Sequence, residues 1–457
     1  MRWLRAPQLL SALGAVSMGL ALQLGSGMFH PVGLALATLT SAAAVWAALL
    51  DGGRGAPAAP EPALPAEALL GLGFLHGLWC HVFQVPTFYA DPRRLQGFRG
   101  LALMALLFGS AYLCVHLRGS LQKARFAAVL ACFAAMGVVI IHLSPGPRID
   151  VWLFQQIGGE ALWRGFSPYT LSYPDLYAAS GETLKMYGPG VVHDHRIFMY
   201  PYPPLTALLA APAWAALGDV RYVSLAALLF SGWALGRLGE GVTGELAALF
   251  VLFQGRSFFV LEQAWSETLV LAAFAATALL IARPPRRVPQ WLAVGLAAGV
   301  LAASKQYSPL LLLPLSLAIP RPQRLRAALV AAGVLAATAL PFLLMDARGL
   351  YRGVVEMQFL QPLRTDSLSL LALYARRFGP PAWGAAPAFL AAALVLVLTL
   401  RGTVTVARAA ASAAAAWLLL VLLNKQAFCN YDFLGSGLLC VAIAARSRLT
   451  AQAKETA

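Results

Sequence analysis

Apolar residues run through this chain in long blocks, separated by shorter stretches that carry nearly all of its charge. Blocks of roughly 17–25 residues suit a hydrocarbon layer about 30 Å thick crossed by helices. They predict spanning helices at approximately 7–27, 30–50, 65–85, 99–117, 125–143, 222–237, 244–261, 265–282, 290–304, 307–320, 327–345, 384–400, 408–424 and 432–446. The expected class is an all-α, polytopic membrane protein with about 13–14 transmembrane helices and a large extracytoplasmic loop after the fifth. Between 203 and 265 there are three apolar segments, but an even number of crossings is needed. The segment 204–217 is short and ends at Gly218-Asp219, so it is expected to be re-entrant or only partly inserted.

Composition agrees with this pattern. Of 457 residues, 60% are hydrophobic and only 12% charged, about half the charged fraction of a soluble domain. The formal charge of +15 does not point to nucleic acid, because no basic run alternates with aromatics along a surface that would follow a phosphate backbone. Lys and Arg instead gather in short loops, where they set membrane orientation. Arg118, Lys123 and Arg125 mark one cytoplasmic turn; Arg283, Arg286 and Arg287 mark a second; Arg321, Arg324 and Arg326 mark a third. Arg446, Arg448 and Lys454 put the C-terminal tail, 447–457, on the same side. The loops 144–203, 345–383 and 424–431 and the tight turn 304–307 then face outwards; Arg93, Arg94 and Arg99 run against that assignment.

Cys80, Cys114, Cys132, Cys429 and Cys440 have no metal-type spacing and imply no disulfide framework. The N-terminus begins like a signal peptide, but a second apolar stretch follows at once, so a retained first helix is expected.

The outward loops hold the unusual polar residues. The first carries Asp150, Glu160, Arg164 and many aromatics; "ASKQYSP" brings Lys305 and Gln306; "VVEMQFLQPLRTDSLS" brings Gln358, Arg364 and Asp366. "LLNKQAFCNYDF" adds Asn424, Lys425, Gln426, Asn430 and Tyr431, and "FQGRSFFVLEQAWSE" adds Arg256, Glu262 and Gln263. Cations at the interface can pair with a lipid-linked phosphate by charge-assisted hydrogen bonds. A nearby carboxylate can take a proton from an attacking hydroxyl. Anchoring offers a plainer account of any single residue, since Lys and Arg snorkel and Trp and Tyr form interfacial belts. Asp150 has two further readings: a cap for the helix beginning at Val151, or a partner for Arg148. "HDH" at 193–195 reads as a solvated loop or acceptor contact rather than a metal site, since adjacent residues rarely bind one ion.

The stretch "RIDVWLFQQIGGEALWRGFSPYT" followed by "YPYPPLTALLAAPAWAALG" resembles the first outer loop of GT-C-type glycosyltransferases, most closely glycosyltransferase family 87, the polyprenol-phosphate-mannose-dependent mannosyltransferases. Asp150, Trp152, Gly158-Gly159, Gly165 to Tyr169, and Tyr202 to Leu205 carry the likeness, together with Lys305 at its helix turn. It spans about 125–446 as the catalytic domain and leaves out the helices of 1–124. Where the family commonly shows a "GQ", this chain has "LEQAWSE", so Gln263 stands at that position and Glu262 is unexplained. The resemblance implies a multi-pass plasma-membrane enzyme that transfers a hexose, mannose by family likeness, from a polyprenyl-phosphate donor to a lipid, glycan or protein acceptor among the membrane lipids. It makes Asp150 the general base, and assigns the donor phosphate to Lys305, Arg364, Lys425 and Gln426. Glu160, Tyr169, Tyr202, Gln263, Gln306, Gln358, Asp366 and Asn424 are the expected substrate contacts, with no metal or cofactor. Two rivals remain: a lipid-linked sugar transporter or flippase, which would put polar residues near mid-membrane in broken helices, and a polysaccharide polymerase or ligase.

Overall fold

The computed structural model describes residues 6–52, 63–112 and 120–456. Cys114 and Arg118 lie outside the described residues, as do the last residues of the 99–117 span and the side chain of Lys123. What is described is mostly helical, with three two-residue strands.

Among the described residues, six helices are long and apolar enough to cross a membrane, or seven if the bent pair Pro204–Leu217 and Arg221–Leu238 counts as one span. The six are Pro7–Gly25, Pro31–Asp51, Leu64–Phe83, Ala124–Leu143, Arg321–Leu360 and Cys429–Ala453. Shorter apolar helices of 10–17 residues accompany them: Gly241–Phe253, Glu267–Ala282, Gln290–Ser304, Ser308–Ala318, Ala386–Thr399 and Val406–Leu422. The expected span 244–261 is therefore broken, with a turn at 254–256 before the short helix Ser257–Glu262. One continuous apolar core joins helices from 1–124 to those from 125–446.

Polar side chains close the bundle at two opposite ends. At one, Arg283 and Arg448 share Glu240, Arg125 pairs with Glu245 at 3.2 Å, and Arg446 pairs with Asp51. At the other, the turns at 26–30, 361–369 and 424–428 are bonded to one another, the turn at 84–91 to that at 144–150, and the turns at 264–266 and 305–307 to neighbouring helices and loops. Phe29 N–H donates to the Asp366 carbonyl, Gln155 Nε2 to the Ala264 carbonyl, and Arg364 N–H to the Lys425 carbonyl. The helix Pro204–Leu217 starts and finishes at this second end, because its C-terminal Gly218 carbonyl accepts Gln156 Nε2 from the helix Asp150–Trp163. The chain bends by 109° before it continues into Arg221–Leu238.

The long loop forms a small core of its own, built on Phe154, Tyr169, Tyr173, Tyr187, Tyr200 and Tyr202. Close packing there requires the glycines of the helix Asp150–Trp163. A Cβ on Gly158 would come within 2.9 Å of the Tyr200 ring, and one on Gly159 within 3.0 Å of the Ala210 backbone. Strands β1 (Tyr173–Pro174), β2 (Val192–His193) and β3 (Arg196–Ile197) pair antiparallel in the order β1-β3-β2. Asp194 and His195 both have positive φ, 48° and 58°, the backbone of a two-residue hairpin turn. "HDH" is thus the tip of a hairpin, with exposed side chains.

The two ends can be distinguished experimentally. Leu184 is exposed beside the loop core and Arg286 is exposed at the basic end. In a background with Cys114 replaced by Ser, cysteines placed at Leu184 and Arg286 should be labelled by an impermeant reagent from opposite sides of the membrane. Labelling of both from one side would break the two-ended arrangement.

Candidate functional site

Asp150 is the first residue of the helix Asp150–Trp163, and its carboxylate accepts the Val151 N–H at 2.8 Å. That satisfies one of the first-turn amides that no helical carbonyl can reach, although the N-cap position itself belongs to Ile149. Arg148 forms no ion pair with it among the described residues; its carbonyl instead accepts the Tyr89 hydroxyl at 2.7 Å. Asp150 is partly exposed, yet enough protein surrounds it that lost hydration pushes its carboxyl above the usual range. The Tyr187 hydroxyl, the Val151 amide, the Arg364 guanidinium and the Tyr177 side chain offset that only in part. Burial, and then the Asp150 charge, hold the Tyr177 hydroxyl well above the usual phenol range, and the same two causes act on Tyr187. The Tyr187 hydroxyl is buried beside that carboxylate.

Tyr202 joins Asp150 to a second charged group. Its own hydroxyl feels first burial and then both Asp150 and Glu267, and the Lys305 ammonium sits 4.9 Å from its ring. Lys305 follows the helix Gln290–Ser304 in extended backbone, and its Nζ lies 3.3 Å from Glu267 Oε1. The same oxygen accepts the Tyr307 hydroxyl at 2.9 Å. Beneath Tyr202, its backbone carbonyl accepts the Tyr169 hydroxyl at 2.6 Å. Gln306 Nε2 ties the Pro201 carbonyl (2.8 Å) to the Val354 carbonyl (3.2 Å).

Arg364 faces Asp150 from the other side. Its guanidinium forks onto Asp366 with two 2.8 Å bonds, touches Met186 Sδ at 2.9 Å and lies 4.8 Å from the Phe428 ring. Lys185 adds a 3.2 Å pair to Asp366, so the short helix Thr183–Tyr187 is clamped to the 361–369 turn. Lys425 braces that turn from behind, with Nζ donating to the carbonyls of Gln358 (3.0 Å), Phe359 (3.5 Å) and Gln361 (2.6 Å). Gln426 Nε2 reaches the Pro362 carbonyl at 3.4 Å, and Asn424 Oδ1 accepts the Lys425 N–H at 2.7 Å.

Of the residues singled out from the sequence, Asp150, Tyr202, Lys305, Arg364 and Asp366 come together. Tyr169, Gln306, Gln358, Asn424, Lys425 and Gln426 support them, and the Lys425 ammonium is occupied by backbone carbonyls. Gln263 is buried and donates to Glu262 at 3.2 Å. Glu160 lies near the far end of its helix, ion-paired with Arg164 at 2.8 Å, away from the cluster. Sequence reasoning passed over Glu267, Tyr177, Tyr187 and Tyr307. Glu267 had a signal: an acid opening an apolar helix is expensive at a membrane and calls for a partner. The tyrosines had none, because aromatic residues fill the whole loop.

For Asp366, burial alone would raise the carboxyl, but the hydrogen bonds and charge of Arg364, with those of Lys185, outweigh it and hold it at about 2. A carboxyl depressed from about 3.9 in the unfolded chain adds stability that is fully present above that value. The contribution is lost as pH falls towards the folded value. The Tm deficit of Asp366→Asn at neutral pH should therefore shrink as pH falls from about 4 to about 2. A deficit that stays constant through that window would mean the clamp is not the source of the stability.

No family model matches the chain, and neither a curated protein nor a solved structure does. Any functional reading therefore rests on the residues themselves.

Proposed function

We propose that the chain is an integral membrane glycosyltransferase that moves a hexose from a polyprenyl-phosphate donor to an acceptor hydroxyl on the extracytoplasmic face. In this reading the shorter apolar helices also cross, giving about 13–14 spans, and the Asp150 end faces outwards because the basic turns lie at the other end. The supporting observation is a partly exposed carboxylate, Asp150, that feels the Arg364 charge and acts on the hydroxyl of Tyr202, whose ring lies 4.9 Å from the Lys305 ammonium, at the polar end of an apolar bundle. A prenyl chain stays in the lipid while its phosphate sits at headgroup depth, and cations at that depth suit it. Mannose as the sugar rests on the resemblance to glycosyltransferase family 87.

The chemistry is a single displacement. Asp150 takes the proton of the acceptor hydroxyl as its oxygen attacks the anomeric carbon. The bond from that carbon to the phosphate oxygen breaks, and polyprenyl phosphate leaves with the electron pair. One attack from the opposite face inverts the anomeric centre. Phosphate leaves without prior protonation, so no general acid is needed. Burial of Asp150 serves this role, since a carboxyl raised towards the working pH is a stronger base. Lys305 and Arg364 stabilise the charge that develops on the departing phosphate.

Asp150→Asn keeps the shape and can still hold the Val151 amide, but cannot take a proton. Transfer should fall by about 10²–10⁴-fold while donor binding and folding stay nearly unchanged. If the variant transferred sugar at close to the normal rate, Asp150 would be a cap and not the base.

A further inference from the structure

Lys305 has an inner partner that the proposed chemistry does not use. Glu267 opens the helix Glu267–Ala282 and is completely buried. Its Oε1 serves both the Lys305 ammonium at 3.3 Å and the Tyr307 hydroxyl at 2.9 Å, while its Oε2 has no hydrogen-bond partner. A buried ion pair is poor value as a pure stabiliser, because well-packed apolar residues of similar volume often do as well or better. At a membrane the desolvation of both groups raises that cost further. Position within the fold explains it better. The first turn of a helix favours a carboxylate through its free N–H groups, so Glu267 is a fixed anion. Lys305, on a flexible stem after the preceding helix hairpin, is drawn to it across the Tyr202 and Tyr307 rings at 4.9 and 6.0 Å. An ammonium has three protons; Glu267 takes one side of it, and the Tyr202 ring, from the loop that carries Asp150, lies 4.9 Å away.

We propose that Glu267 is the positioning residue for the donor phosphate: it holds the Lys305 ammonium over Tyr202, so that a prenyl-linked phosphate binds as that ammonium's outer partner. This rests on the reading of the site as a prenyl-phosphate site. Glu267 acts only through Lys305, and Tyr307 holds Glu267 in the orientation that makes this possible. A residue acting through another loses its effect when that other is removed, which a double-mutant cycle measures.

The test is binding of farnesyl phosphate to the purified full-length protein, with farnesol as the phosphate-free control. The native protein should prefer farnesyl phosphate. Glu267→Gln should weaken that binding by about tenfold or more, the range for losing a charge-assisted contact, and leave farnesol binding unchanged. In a Lys305→Met background the same change should alter binding by less than about twofold. Tyr307→Phe removes one bond to Glu267 and should produce a smaller loss, again only when Lys305 is present. If Glu267→Gln alone does not fold, Tyr307→Phe and the double variant, in which both buried charges are removed together, carry the comparison. Equal losses in both backgrounds, or no loss in the native one, overturn the positioning role and leave the site reading standing. A native protein that binds farnesol as well as farnesyl phosphate overturns the site reading, and the positioning role with it.

Discussion

A carboxylate sunk in an apolar bundle must find its donors inside the protein, and Glu262 finds four. It is fully buried and accepts the backbone N–H groups of Phe88, Tyr89 and Ala90 at 2.7, 3.0 and 3.1 Å, and Gln263 Nε2 at 3.2 Å. Three amides on one carboxylate fix the 84–91 turn against the helix Ser257–Glu262. The Tyr89 hydroxyl then bonds the Arg148 carbonyl, two residues before Asp150. The position of the candidate base thus depends on a chain of contacts that begins in a helix more than a hundred residues later. Removing one member of such a network leaves the others buried and unpaired, which costs far more than the net value of a typical hydrogen bond.

Around that anchor, the cations of the cluster are held by carboxylates. Glu267 holds Lys305, and Asp366 holds Arg364. Both cations are fixed within the protein, which under the proposed function would leave little side-chain freedom to be lost on binding. The polar cluster sits at one end of the helices, whereas a transporter built on broken helices would gather polar groups at mid-membrane. The loop core of tyrosines adds rigidity: Tyr169 and Tyr173 both pack on Tyr200, edge to face at 5.4 Å and tilted at 6.1 Å between ring centroids.

Much of this was legible in the chain. Apolar block lengths predicted Pro7–Gly25, Pro31–Asp51, Leu64–Phe83 and Ala124–Leu143 to within a few residues, because burial in lipid leaves a run that polar residues do not interrupt, whereas Arg321–Leu360 and Cys429–Ala453 run well past the blocks 327–345 and 432–446. The odd segment 204–217 stood out by its length and its Gly218-Asp219 end, and the chain bends by 109° between its helix and the next. Other features were not legible. Glu262 looked unexplained because its partners are backbone amides, which have no signature in residue type. The carbonyls that meet the Lys425 ammonium could not be read either, because a cation in a polar loop reads the same whether it meets a ligand or the main chain. The small sheet escaped notice because its strands are two residues long, too short for any alternation to show. Pairings between distant segments, such as Lys305 with Glu267, depend on which helix ends meet, and periodicity within one helix does not carry that.

The central claim is that covalent chemistry takes place at the Asp150 end of the bundle. The most direct measurement supplies the purified protein, in a bilayer, with a polyprenyl-phosphate hexose labelled in the sugar and with candidate acceptors. The account predicts that label appears in a new glycoside of inverted anomeric configuration, with an equal amount of free polyprenyl phosphate released. Label that stays on the prenyl phosphate while the lipid passes between leaflets would contradict it.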